Sequence, residues 1–134
     1  QKLVAEGAGA VPVAAALFHK LPIEGKKVVC LISGGNIDVN ILNRVITRGL
    51  VMSGRKANLT IALEDKPGQL ERVAAIVSRC GSNVVSVLHD GSDPNMPISS
   101  CFLKLVLETR DNAQIEQIRQ ELTKAGFQLV AERV

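Results

Sequence analysis

Apolar positions along the second half of the chain follow two periods. Leu59, Ile61 and Leu63 alternate with Thr60, Ala62 and Glu64, the signature of a strand with one buried face. Asp65-Lys66-Pro67-Gly68 breaks the pattern as a turn, with Pro67 placed where a helix can begin. Leu70, Val73, Ala74 and Val77 then recur at i, i+3, i+4 and i+7, predicting a helix to about Cys80 that stops at Gly81. A second strand is expected from Asn83 to Asp90, and Gly91 to Pro97 reads as a loop that no strand could contain. Ser100 to Glu108 forms a third strand with Cys101, Leu103, Leu105 and Leu107 on one face. Asp111 and Gln114 have capping-box spacing, and Ile115, Ile118, Leu122 and Ala125 mark one face of a helix ended by Gly126. Phe127, Leu129 and Ala131 alternate in a last strand. The order β-α-β-β-α-β is the split-βαβ, ferredoxin-like arrangement: α+β, an antiparallel sheet with two helices on one face.

The first half is less complete. An Ala-rich stretch from about Gly7 to Lys20 predicts a helix that stops near Leu21-Pro22. Lys27 to Ile32 is an apolar run of strand length ending at Ser33-Gly34-Gly35-Asn36, as a buried strand entering a tight loop would. Asn36 or Asp38 can cap a helix over Val39 to Met52, with Gly54 beyond its end. Helix, strand and helix cannot close a core alone, so this part reads as the trailing edge of a larger α/β domain. The first residue, Gln1, is not an initiator Met, which also reads as a piece of a longer chain. Boundaries are expected at 1–55 and 56–134.

Composition narrows the function classes. With no Trp or Tyr and three Phe, the core must be aliphatic. A net charge of +3, with basic residues scattered and no aromatic platform, argues against nucleic-acid binding. No apolar run approaches the roughly 20 residues of a membrane helix, and the start lacks signal-peptide anatomy. Cys30, Cys80 and Cys101 include no C-x-x-C pair and read as reduced thiols of a cytoplasmic protein. His19 and His89 lack a second ligand at i+3 or i+4, so no metal site is expected from local spacing.

Two stretches carry a family resemblance. Asp65-Lys66-Pro67-Gly68-Gln69-Leu70, followed by Gly81-Ser82-Asn83-Val84 inside a βαββαβ unit, resembles the ACT domain over about Asn58 to Val134. Glu6-Gly7-Ala8-Gly9-Ala10 and Ser33-Gly34-Gly35-Asn36-Ile37-Asp38 resemble the end of the catalytic domain of fold-type II pyridoxal-phosphate-dependent serine and threonine dehydratases. Ile46-Thr47-Arg48-Gly49-Leu50 and Leu107-Glu108-Thr109-Arg110 fit the threonine ammonia-lyase branch with one C-terminal ACT domain. One position departs: Gly91 stands after His89-Asp90 where these enzymes commonly show Arg, which puts any contact made by that Arg in doubt.

The resemblance implies a parent that converts L-threonine to 2-oxobutanoate and ammonia, in isoleucine biosynthesis or threonine catabolism. Its cofactor, pyridoxal phosphate, is held on a Lys and a Gly-rich phosphate loop that this chain does not contain. The chain alone is therefore expected to be inactive and to hold no cofactor. In the parent, the resemblance places Ser33 beside the pyridine nitrogen, Gly34, Gly35 and Asn36 around it, and Glu6 on the adjoining wall. Spacing alone favours a simple strand-to-helix turn at Ser33 that needs Ser and Gly for backbone reasons, and the cofactor role is what the resemblance adds. For the ACT unit, the opening of a helix at Pro67-Gly68 offers unpaired amides to a carboxylate, and Gly68 allows close approach. ACT domains hold an amino acid between one chain's turn and another chain's second strand. The expected effector contacts are Asp65, Pro67, Gly68, Gln69 and Leu70, facing Asn83, Val84 and Val85 of a partner copy. Asp65 either receives the ligand ammonium or caps the helix. Isoleucine or valine is the expected effector, in a homo-oligomer built on an ACT dimer. The alternative is a structural oligomerisation domain that binds no effector.

Overall fold

The computed structural model describes residues 3–94 and 97–130. The chain divides into two compact units, Gln1–Ile46 and Thr47–Val134.

The second unit carries a four-stranded antiparallel sheet. Its strands are β1 (Lys56–Glu64), β2 (Asn83–Asp90), β3 (Ser100–Glu108) and β4 (Gln128–Val130), in the order β2-β3-β1-β4. The helices α3 (Gln69–Arg79) and α4 (Asn112–Lys124) connect β1 to β2 and β3 to β4. This is the expected ferredoxin-like βαββαβ fold, and the aliphatic periodicity explains it. On β3, Cys101, Leu103, Leu105 and Leu107 are all buried, while Lys104 and Glu108 are exposed. The same face of β1 contributes Ala57, Leu59 and Ile61, and the helices add Val73, Ile76, Val77, Ile118 and Leu122. The last strand is short: Phe127 fills the core just before it, and the expected position Ala131 lies outside the described residues.

Helix ends follow their capping chemistry. Asp111 accepts a hydrogen bond from the Gln114 amide at 2.8 Å and caps α4. Gly54, Gly81 and Gly126 adopt positive φ where α2 (Val39–Met52), α3 and α4 end. The start of α3 differs from expectation. Pro67 and Gly68 precede the helix, whose first residue is Gln69, because Gly68 sits at φ 87 in the left-handed region and serves as the cap residue. β2 also carries an irregularity. Val84 pairs with Leu107 and Ser86 with Val106, which leaves Val85 as an extra residue, a β-bulge on the edge strand.

The first unit holds α1 (Gly7–Leu17) and the start of α2 (Val39–Met52). α2 has the expected bounds, and Asp38 accepts hydrogen bonds from the Asn40 and Ile41 amides at 2.8 and 3.2 Å. α1 stops at Leu17, short of the expected Lys20, with Phe18 as its cap and His19 at φ 51. Lys27 to Ile32 does not form the expected strand. A strand is stabilised by pairing, and no strand neighbours this run among the described residues. Val29 is 95% exposed and Leu31 74%, so a run whose composition suits a sheet interior is not buried.

Candidate functional site

The turn after β1 is fixed by the register of the sheet. Glu64 pairs with Ser100, and the Asp65 amide donates to the Ser99 carbonyl at 2.8 Å. Asp65, Pro67, Gly68, Gln69 and Leu70 then line a cleft of about 310 Å³ together with Leu63, Lys66, His89 and Leu103. The five turn residues singled out in the sequence therefore share one concave surface. It is open, since Asp65, Pro67, Gly68 and Leu70 are all exposed. Asp65 does not cap α3, as that helix has no side-chain cap. Its carboxylate lies 3.4 Å from Nε2 of His89.

Asn83, Val84 and Val85 stand at the other end of β2. Asn83 pairs with Glu108 and His89 with Leu103. The partners of Asn83 and His89 stand five positions apart on β3, about 17 Å at the usual rise. One chain does not bring these residues to its own turn, so contact between the two groups requires a second copy. Asn83 Nδ2 donates to Oε2 of Glu108 at 3.1 Å, Val84 packs against the core, and Val85 is half exposed at the bulge. β2 is an edge strand whose other side is unpaired among the described residues.

Two residues at this end of the sheet were not visible as site residues in the sequence. Cys101 is fully buried, and its Sγ lies with the Asp65 carboxylate and the His89 ring nitrogen, all within 4.8 Å of one another. Burial raises the Cys101 thiol above its ordinary range, and the Asp65 carboxylate adds to that. His89 and Cys101 meet through cross-strand pairing at a separation of twelve residues, so no local spacing reveals them. Beside them Asp90 accepts from Nζ of Lys104 at 2.8 Å and from Oγ of Ser92 at 2.6 Å. The Lys104 hydrogen bond first, and Ser92 second, hold Asp90 well below the usual carboxylate range. Gly91 leaves open space at the position of the family's common Arg.

In the first unit the structure does bring Glu6 to the Ser33-Asn36 turn. The Glu6 amide donates to the Gly34 carbonyl at 3.1 Å. A Cβ on Gly34 would collide with the Glu6 carboxylate, one on Gly35 would meet the Val4 carbonyl at 3.1 Å, and one on Gly9 the Gly34 carbonyl at 2.7 Å. Gly9 is thus required by backbone packing against Gly34, and the space over Gly34 is taken by the movable end of the Glu6 side chain. Ser33 and Asn36 are exposed. What this turn offers pyridoxal phosphate is a single hydroxyl, which by itself is not a site for the group.

No protein-family model matches the chain. A protein named L-threonine ammonia-lyase from Thermotoga maritima is 48% identical over 128 residues, spanning 96% of this chain and 32% of the relative. The chain is homologous to L-threonine ammonia-lyases. A second protein of that name, from Geobacter sulfurreducens, is 39% identical over 126 residues, spanning 94% of this chain and 31% of the relative. The homologous segment therefore covers less than a third of either enzyme. A solved ACT domain from the GTP pyrophosphokinase of Chlorobium tepidum aligns with 56% of the chain at 15% identity and a TM-score of 0.43. The fold assignment rests on strand order and register rather than on that likeness. Among the described residues no helix is long and apolar enough to cross a membrane.

Proposed function

We propose that this segment is the regulatory, amino-acid-binding ACT portion of a threonine ammonia-lyase. The parent enzyme removes water and then ammonia from L-threonine to give 2-oxobutanoate, with pyridoxal phosphate supplied and held by the part of the protein outside this segment. The observation that carries the reading is the cleft formed by Asp65 to Leu70 at the start of α3. It combines an exposed carboxylate, a glycine with no side chain over the approach, and the positive end of a helix dipole. An amino acid has the matching groups: an ammonium for Asp65 and a carboxylate for the helix amides. Leu63, Pro67 and Leu70 give the cleft an apolar side suited to isoleucine or valine. Asn83, Val84 and Val85 of a second copy would close it. Regulation then follows if the effector prefers one arrangement of the subunits.

The test is thermal unfolding of the purified chain against a panel of amino acids, with light scattering alongside. Saturating isoleucine or valine at about 100 times its dissociation constant should raise Tm on the order of 10 °C, because it binds only the native state. The effect should be lost in Asp65→Ala. A second reading, an oligomerisation domain without an effector, is favoured by one observation. The edge strand β2 exposes Val85, Val87 and Leu88, at 51%, 43% and 57%. A dimer that responds to no amino acid would select that reading.

A further inference from the structure

We propose that Asp65, His89 and Cys101 form a binding site for one thiophilic divalent cation of the Zn2+ type. The three ligand atoms come from different parts of the fold and converge for reasons of register. Cys101 pairs with Leu63 near the end of β1, and Asp65 follows two residues later. His89 pairs with Leu103, two residues from Cys101 and on the same face of β3. The diagonal neighbour of His89 across the ladder is therefore Cys101. The Asp65 turn is held by its amide bond to Ser99.

Geometry and donor chemistry agree. Four-coordinate zinc has bonds of about 2.0 Å to nitrogen and oxygen and about 2.3 Å to sulfur, so its ligands stand about 3.3–3.8 Å apart. Asp65 and His89 are already 3.4 Å apart. No pair in the cluster exceeds 4.8 Å. A closure of roughly an ångström would bring the sulfur to bonding range. Carboxylate, imidazole and thiolate are a mixed oxygen, nitrogen and sulfur set that suits Zn2+ and disfavours Mg2+ and Ca2+, which take oxygen ligands. Asp65 and His89 both line the cleft, so the fourth coordination position is open to water or to a small donor from solvent. On binding, the Cys101 S–H bond breaks, sulfur bonds the metal, and the proton leaves to the buffer. None of this depends on an amino-acid effector.

The experiment titrates the full chain with Zn2+ and then Co2+ under a non-thiol reductant, without amino acids and in a Cys30→Ser background. Cys30 lies in the other unit and is removed to prevent adventitious thiolate binding. The expected result is one ion per chain, about one proton released, a sulfur-to-cobalt charge-transfer band and a rise in Tm. His89→Gln and Asp65→Asn alter exposed side chains, and circular dichroism confirms their fold. Each should weaken binding by more than about 100-fold, beyond the 10–100-fold that outer-shell partners cost. Cys101→Ser should abolish the charge-transfer band; should that core variant fail to fold, His89→Gln decides. Failure to bind one equivalent, equal affinity in His89→Gln, or cobalt binding without a thiolate band would each overturn the proposal.

Discussion

Gln114 is a polar side chain inside an aliphatic core, only 2% exposed. Its Nε2 donates to the Cys80 carbonyl at 2.7 Å, and its Oε1 accepts from the Arg110 amide at 2.7 Å. The capping-box spacing with Asp111 is real, but the side chain reaches one residue further back than that motif does. It ties the start of α4 to the end of α3. Gln114→Leu leaves two backbone groups unpaired, so urea unfolding should show a loss of about 2–4 kcal/mol. Asp90 makes a pH prediction. Its folded pKa is depressed by Lys104 and Ser92. That stabilisation is fully present above the unfolded value near 4 and is lost as pH falls below it toward the folded value. Lys104→Met should therefore lower Tm at neutral pH. The gap to the parent protein should narrow as pH drops from about 5 to 2.

At the scale of elements, β2 is the strand most open to other chains. If copies pair along it, Val87→Lys should shift light scattering from dimer to monomer while the circular dichroism spectrum stays unchanged. An unchanged dimer would place the interface elsewhere. β2 also shows what the sequence could and could not reveal. Its bounds, like those of β3 and α2, follow from Gly, Pro and cap residues at their ends. The alternation of Leu59, Ile61, Leu63 and of Cys101 to Leu107 reports the buried face directly. The run from Lys27 to Ile32 has strand composition too, but a strand is decided by its neighbours, and local pattern does not contain them. The turn from Asp65 to Leu70 was legible as one surface because its residues are contiguous. His89 and Cys101 were not, because only the ladder between β2 and β3 makes them neighbours.

For the whole molecule, the two units differ in how they are made. The second has a closed core of strands and helices. In the first, only Gly9 of α1 is buried, and α2 contributes no buried residue. Removal of residues 1–46 should therefore leave a chain that unfolds cooperatively with a Tm within a few degrees of the parent, measured by calorimetry. A large loss of cooperativity would show that the βαββαβ unit draws on the first unit for stability.

The extra residue at Val85 sets the phase of everything after it on β2. A strand is read in twos, so one inserted residue exchanges its faces. Were Val85 instead paired with Val106 in a regular ladder, Leu88 would stand opposite Leu103 and His89 opposite Phe102, turned away from Asp65. The bulge thus behaves like a frameshift confined to one strand, choosing which of two side-chain alphabets the cleft displays. Deletion of Val85 would leave Ser86 opposite Val106 and His89 opposite Leu103 in a regular ladder, so it should keep both the sheet, by its circular dichroism, and the imidazole of His89 beside Asp65. Unaltered chemical shifts of that ring would show it. Evolution could lose the extra residue and keep this corner of the cleft, whereas drawing that residue into the ladder would lose the corner.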